Sequence, residues 1–325
     1  MKRRNFIKNT ALSTLGASLI ANPIFALAES PNITHLESDD LSPSVLKDEF
    51  DVHFIAVGDW GRNGEYDQNE VAKQMGDWAK NNPNNFVISV GDNFYPRGVV
   101  SETDPLWHYS FENVYTSHSL QCDWYPVLGN HDYGSDPEAQ VRYSKVSRRW
   151  NMPALYYAKE FALGNPRNKV LMLMIDTDPM LHENKQQQVA EQMIWLNETL
   201  KNASADVKWR IIVGHHPYYT VGPRIKNYDT LTVREKLAPV FEAHKIDIYL
   251  SGHDHSLQHL KPDGFTHQFI SGAGSELTGV STGVPYSRFQ ASDHGFLYFA
   301  VNNKKINVKA VNASGKVLYQ TELVK

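Results

Sequence analysis

The chain reads as an α/β protein, on three observations. From residue 51 onward, short apolar runs alternate with longer stretches whose apolar residues recur at helical spacing. Five of the apolar runs end in the same way, on a small residue or glycine followed by a side chain able to bind a metal. Beyond about residue 266 the pattern turns to short strands with Gly-rich turns, which predicts an antiparallel second sheet.

Residues 1–28 read as an export signal. Lys2-Arg3-Arg4-Asn5-Phe6-Ile7-Lys8 is basic, Ala11 to Phe25 is moderately apolar, and Ala26-Leu27-Ala28 offers a small-x-small cleavage site. The paired arginines resemble a twin-arginine signal, which exports folded proteins to the periplasm or beyond. The apolar stretch is short, carries Ser13, Thr14, Ser18 and Asn22, and is broken by Pro23. It therefore reads as a cleaved signal, with no stable membrane anchor afterwards. Residues 29–50 are acidic and polar, with Pro31 and Pro43, and read as a linker or surface arm. One folded domain is expected over 51–325.

Composition narrows the class. With 41% hydrophobic and 21% charged residues in 325, the chain has ordinary soluble globular composition and is long enough for one large core or two small domains. Cys122 is the single cysteine, so neither an intramolecular disulfide nor a cysteine-based zinc site can form. Removing the four basic residues of 1–28 takes the net charge from −4 to −8, which argues against nucleic acid as a partner.

The elements follow in order. His53 to Val57 is a strand closed by Gly58-Asp59, and Val71, Met75 and Trp78 then share one helix face. Phe86 to Val90 is a second strand. Gly91 lets the backbone turn sharply there, and Asp92-Asn93-Phe94-Tyr95 follow. Trp124 to Leu128 ends at Gly129-Asn130-His131-Asp132. The unbroken apolar run Val170 to Ile175 predicts a strand covered on both faces, and Val189, Met193, Leu196 and Leu200 stripe the helix after it. Trp209 to Val213 ends at Gly214-His215-His216-Pro217. Thr232 and Glu235 form a capping box that opens a helix with Val233, Leu237, Val240 and Phe241 inward. Ile246 to Leu250 ends at Ser251-Gly252-His253-Asp254-His255.

In open α/β sheets ligands gather at the carboxyl ends of strands. Five such endings in series predict one shared site rather than five solvated loops. Asp92 and Tyr95 are one short turn apart, so a carboxylate and a phenol can reach one ion. A strand-end aspartate can also bridge two ions about 4 Å apart, as two-metal hydrolases require. His253 and His255 are two apart, which in an extended segment puts both imidazoles on one face.

The five blocks, in this order, resemble the purple acid phosphatases of the calcineurin-like metallophosphoesterases, in particular the small tartrate-resistant type. The resemblance spans about residues 51 to 300. Tyr95 narrows it to the purple enzymes, because most relatives lack a phenol there. It implies an α/β four-layer metallophosphoesterase fold, with two mixed β-sheets packed face to face and flanked by helices. It implies a ferric ion held by Asp59, Asp92, Tyr95 and His255, and a divalent ion (Fe(II), Zn or Mn) held by Asp92, Asn130, His215 and His253. The ligand chemistry agrees: the first set is rich in hard anions, the second in neutral imidazole and amide.

His131 resembles the family's substrate-facing histidine, steadying a phosphate oxygen or protonating the leaving alkoxide. Asn130 is expected at the substrate as well. The chain departs from many relatives at His216, where they carry tyrosine. His215 is the preferred ligand of the pair because it directly follows Gly214. His216 is then either structural or turned to substrate. Asp132 either orients His131 or serves its turn, Asp254 supports its neighbours, and Asp176 is a candidate to stand behind the ligands. Trp60, Asn93 and Phe94 are read as packing.

The expected activity is acid hydrolysis of phosphate monoesters by a metal-bound hydroxide, with Asp92 and His131 as catalytic residues and small phosphorylated substrates as partners. Two alternatives stand beside it. One is phosphodiester or nucleotide hydrolysis at the same site, its width set by the 218–231 loop. The other is an exported iron- or phosphate-binding protein without catalysis.

Overall fold

The computed structural model describes residues 49–325. The signal read over 1–28 and nearly all of the arm read over 29–50 lie outside the described residues. Phe50, at the end of that arm, is buried in the core.

Two mixed sheets make the centre. The first has strand order β13-β12-β11-β1-β2-β3, with β1 Val52–Val57, β2 Phe86–Ser89, β3 Asp123–Pro126, β11 Gly295–Val301, β12 Lys305–Asn312 and β13 Val317–Val324. The second has order β10-β8-β9-β7-β6-β5-β4, with β4 Tyr157–Leu163, β5 Asn165–Met174, β6 Val207–Val213, β7 Ile248–Ser251, β8 Leu257–Leu260, β9 His267–Ser271 and β10 Ser287–Ala291. The helices are α1 Gln68–Asn81, α2 Pro137–Tyr143, α3 Gln186–Lys201 and α4 Tyr228–His244. This is the metallophosphoesterase fold that the five blocks implied.

Strand periodicity explains the layers. On β5, Val170, Met172 and Met174 join the core shared by both sheets, while Leu171, Leu173 and, just past the strand, Ile175 join a second core with Val189, Leu196 and Leu200 of α3 and Val233, Leu237 and Phe241 of α4. Successive side chains point to opposite faces, so a strand buried on both must be apolar throughout. Between the sheets, Phe54 of β1 stacks on Phe86 at 5.2 Å and on Phe299 at 4.6 Å, and Phe299 meets Phe269 of the other sheet edge-on at 5.6 Å.

Two expectations are corrected. The strands after residue 266 do not form one antiparallel second sheet: β9 pairs parallel with β7, while β11, β12 and β13 cross to the first sheet, where β11 lies antiparallel to β1. Alternation reveals a strand but not its partner. The capping box is also misplaced. Helix α4 starts at Tyr228 after Asn227, so Thr232 and Glu235 lie inside it, and buried Thr230 extends its inner face upstream. The 218–231 stretch is accordingly loop only up to Asn227.

Phe54→Ala should cost roughly 3–5 kcal/mol, because it opens a cavity between two stacked rings. Urea denaturation should show a lower midpoint at an unchanged slope.

Candidate metal centre

Parallel pairing brings the ligand-bearing turns together. In the first sheet Val57 pairs with Ser89 and Ser89 with Pro126, all parallel, so Asp59, Asp92 and Asn130 leave at one edge. In the second, β6 and β7 run parallel, so His215 and the 253–255 turn also share an edge. The two edges meet directly. His253 N–H donates to Asp59 Oδ2 at 3.0 Å, and His215 Nδ1–H donates to the Val90 carbonyl at 2.8 Å. The turns are tight: Asp59, Asp92 and His253 take left-handed φ values of 59, 51 and 70°. Non-glycine residues hold that conformation only where the surroundings impose it. Gly129 is required beside them, since a Cβ there would come within 2.2 Å of Asp92 Oδ1.

The residues of the first set converge on one phenol. Tyr95 Oη lies 3.3 Å from Asp59 Oδ1, 3.0 Å from Asp92 Oδ2 and 3.2 Å from His255 Nε2. His255 Nε2 is 3.4 Å from Asp59 Oδ1.

The second set is arranged by what its rings do with their protons. His215 gives its Nδ1 proton to Val90, which leaves the Nε2 lone pair facing inward, 3.4 Å from Asp92 Oδ2. His253 gives its Nε2 proton to Asp229 Oδ2 at 2.7 Å, which leaves the Nδ1 lone pair 3.2 Å from His215 Nε2. Two lone pairs facing each other at that distance call for a cation between them. Asn130, between Gly129 and His131, has a buried Oδ1 with no hydrogen-bond partner among the described residues. An orphaned buried acceptor is costly unless a cation takes it up.

Electrostatics points the same way. Burial alone would raise the Asp92 carboxyl, but the imidazoles of His215, His131 and His253 outweigh it and hold it well below the carboxylate range. Burial, then the charges of Asp92 and Asp59, pushes the Tyr95 phenol far up. Burial opposes protonation of His215, yet Asp92 and Asp59 raise it to about 9. Burial likewise opposes His255, which Asp59 holds above its ordinary value. Clustered acceptors thus gather protons, and metal ions would replace those protons on binding. One ligand atom each from Asp59, Asp92 and His215 can surround an ion, as can one each from His215, His216 and His253.

The remaining candidates separate by their contacts. The Thr177 hydroxyl accepts the N–H groups of His215 and His216 at 3.3 and 3.1 Å, so its own proton goes to His216 Nδ1 at 2.8 Å. His216, buried and kept neutral by burial and by its histidine neighbours, then carries its ring proton on Nε2. His131 donates Nδ1–H to the Pro96 carbonyl at 2.7 Å, and its backbone N–H reaches Asp92 Oδ1 at 2.9 Å. Asp132 has no hydrogen bond to that ring. Its buried carboxylate accepts the N–H groups of Asn93, Phe94 and Gly129 and the amide of Gln140, clipping two ligand turns together. Asp254 holds Arg224 at 2.8 Å and accepts the Thr220 hydroxyl. Asp176 accepts the Tyr133 hydroxyl. Trp60 and Asn93 both bond Ser89, and Phe94 packs in the aromatic core.

Asp229 and Thr177, which fix two of the rings, were not singled out from sequence. Asp229 was obscured by placing the helix start at Thr232. Thr177 carries no motif at all.

Known proteins agree with this architecture. The family model described as calcineurin-like phosphoesterase matches residues 52–257. The chain belongs to that family. Purple acid phosphatase 17 of Arabidopsis thaliana is 32% identical over 296 residues, covering 84% of this chain and 85% of its own. Tartrate-resistant acid phosphatase type 5 of Oryctolagus cuniculus is 33% identical over 301 residues, covering 84% and 91%. Among solved structures, GAP50, described as the anchor in the inner membrane complex of Plasmodium, superimposes with a TM-score of 0.75 at 26% identity, covering 84% of this chain and 89% of that one. Within the family this chain stands with the purple and tartrate-resistant acid phosphatases, and it is a dimetal phosphatase of the acid phosphatase class.

Two predictions follow from these contacts. Asp229→Ala should weaken retention of the second metal by roughly 10–100-fold, since it frees the His253 ring; chelator competition on the purified protein reads this. Burial pushes the Asp176 carboxyl up to about 7 despite the Tyr133 hydroxyl. Below its unfolded value near 4 the group costs folding nothing, and the cost grows as pH rises towards 7. Asp176→Asn should therefore raise the melting temperature of the metal-stripped protein at pH 7.5 and lose that gain by pH 4.

Proposed function

We propose that this protein hydrolyses phosphate monoesters at acid pH with an Fe(III)–M(II) pair, M being Fe(II), Zn or Mn. Asp59, Asp92, Tyr95 and His255 would hold the ferric ion, and Asp92, Asn130, His215 and His253 the divalent one, with Asp92 shared. The facing lone pairs of His215 and His253 carry this reading. The donor sets support the division: two carboxylates and a phenol suit a trivalent ion, two imidazoles and an amide a divalent one. Bound there, the pair supplies charge neutralisation for the phosphate and a water-derived nucleophile below neutral pH.

The chain's own groups do the rest. His131, its Nδ1 proton held by Pro96, keeps Nε2 to carry a proton to the leaving alkoxide. Asn130, whose buried Oδ1 has no hydrogen-bond partner among the described residues, would give that oxygen to the metal and keep its amide N–H groups for a phosphate oxygen. His216, fixed by Thr177, keeps a neutral Nε2–H donor near His215 and His253. Small phosphorylated molecules are the substrates this site suits. The basic, small-x-small character of residues 1–28 supports export by a twin-arginine-type route, and no helix among the described residues is long and apolar enough to cross a membrane.

Purified protein should contain iron and a second metal, show a visible band, and release phosphate from a monoester faster than from a diester, with an acidic optimum. His131→Ala should cut turnover by about 10²–10⁴, and Asp92→Ala should abolish it. Tyr95→Phe should bleach the band. Since GAP50 is described as an anchor, the decisive control is ester cleavage itself: iron binding with no turnover on any ester would sink the proposal.

A further inference from the structure

Arg62 is a cation that the proposed chemistry does not use. It lies three residues beyond Asp59, between β1 and α1. Its guanidinium carbon sits 3.6 Å from the centroid of the Tyr95 ring and 5.4 Å from that of Tyr66. Nη2 pairs with Glu276 Oε2 at 2.5 Å, while Nε is buried with no hydrogen-bond partner among the described residues. Stacking and one ion pair therefore hold the group, and a buried guanidinium N–H is left unbonded to keep it there. The phenol is fixed from other sides as well. Tyr95 N–H donates to the Gly61 carbonyl at 2.9 Å, and its ring meets that of His131 at 4.4 Å between centroids. Tyr95 is buried, so a charge over its face acts with little screening.

We propose that Arg62 sets the donor energy of the Tyr95 ring, and through it the colour and reduction potential of the iron that Tyr95 would hold. The inference rests on the ferric reading above. A positive charge over a phenolate lowers the energy of its π electrons, so moving an electron from ring to Fe(III) takes more energy and absorption shifts to shorter wavelength. The same charge favours the reduced ion. Glu276, paired with Nη2 of the guanidinium, partly offsets both effects. Arg62 is in this sense a positioning and tuning residue, not one that touches substrate.

Three iron-loaded proteins test this by visible absorption and mediated redox titration. In Arg62→Gln the band should move to longer wavelength and the midpoint potential should become more negative. In Glu276→Gln, a change at the half-exposed rim, the band should move to shorter wavelength and the potential should become more positive. Opposite shifts are the expected result, because mere loosening of the site would move both variants the same way. Unmoved bands, or shifts of one sign in both, overturn the proposal. A wild type that binds iron and shows no visible band sinks the ferric reading and this inference with it. A normal wild-type band with unshifted variants sinks the inference alone.

Discussion

The imidazoles of His215 and His253 face each other with their protons turned away, and the geometry of the site depends on that arrangement. Each ring is held from behind by a group on a different element: Val90 at the end of β2, in the other sheet, and Asp229 in the first turn of α4. Neither ring could present its lone pair inward unless both sheets and the helix were docked. The site is therefore a product of tertiary assembly. Whatever positive charge settles between the lone pairs, proton or metal, also stabilises the packing that brought them together.

The backbone bears part of the cost. Asp59, Asp92 and His253 occupy the left-handed region, which disfavours a Cβ by about 1–2 kcal/mol at each residue. Glycine would relieve that strain but remove the side chains that would hold metal. Neighbours compensate. Asp132 spends a buried carboxylate on three backbone N–H groups from the 92–94 and 129 turns, and burial followed by repulsion from Asp92 pushes it up to about 7. An acid carries that burden because it can accept from several converging N–H groups at once.

Much of this was legible in the sequence, for a physical reason. A parallel strand covered on both faces must be apolar to its last residue, and the chain then has to turn abruptly where ligands are wanted. The result is a visible step from Val-Ile-Leu runs to Gly-Asp, Gly-Asn-His or Gly-His. That step located Asp59, Asp92, Asn130, His215 and the 253–255 turn, all of which the fold brings to one edge. Sheet membership was not legible: nothing in β11 to β13 says that they return to lie beside β1, because pairing is a long-range property. Arg62, Thr177 and Asp229 were equally silent, since an arginine in a loop, a threonine after a strand and an aspartate in a first helical turn all have ordinary uses. Their roles are defined only by the side chains they meet.

The two proposed ion positions differ both in their ligands and in the charged groups behind them. Around Tyr95 stand Asp59, Asp92 and neutral-capable His255, and the nearby Arg62 is paired with Glu276. Beside His215 and His253 stands shared Asp92, with the Asn130 amide as the further donor proposed there, and the nearby Arg224 is paired with Asp254. Behind the second half stands Asp229 as well, which accepts from His253 and lies 3.8 Å from Arg224 Nε, so two carboxylates face one arginine there, against one carboxylate and one arginine behind the first. Among the proposed ligands themselves, the first set has one extra carboxylate and one phenol. Discrimination between a trivalent and a divalent ion would then lie in donor chemistry, and the surrounding ion pairs would be left to adjust the energy of individual donors.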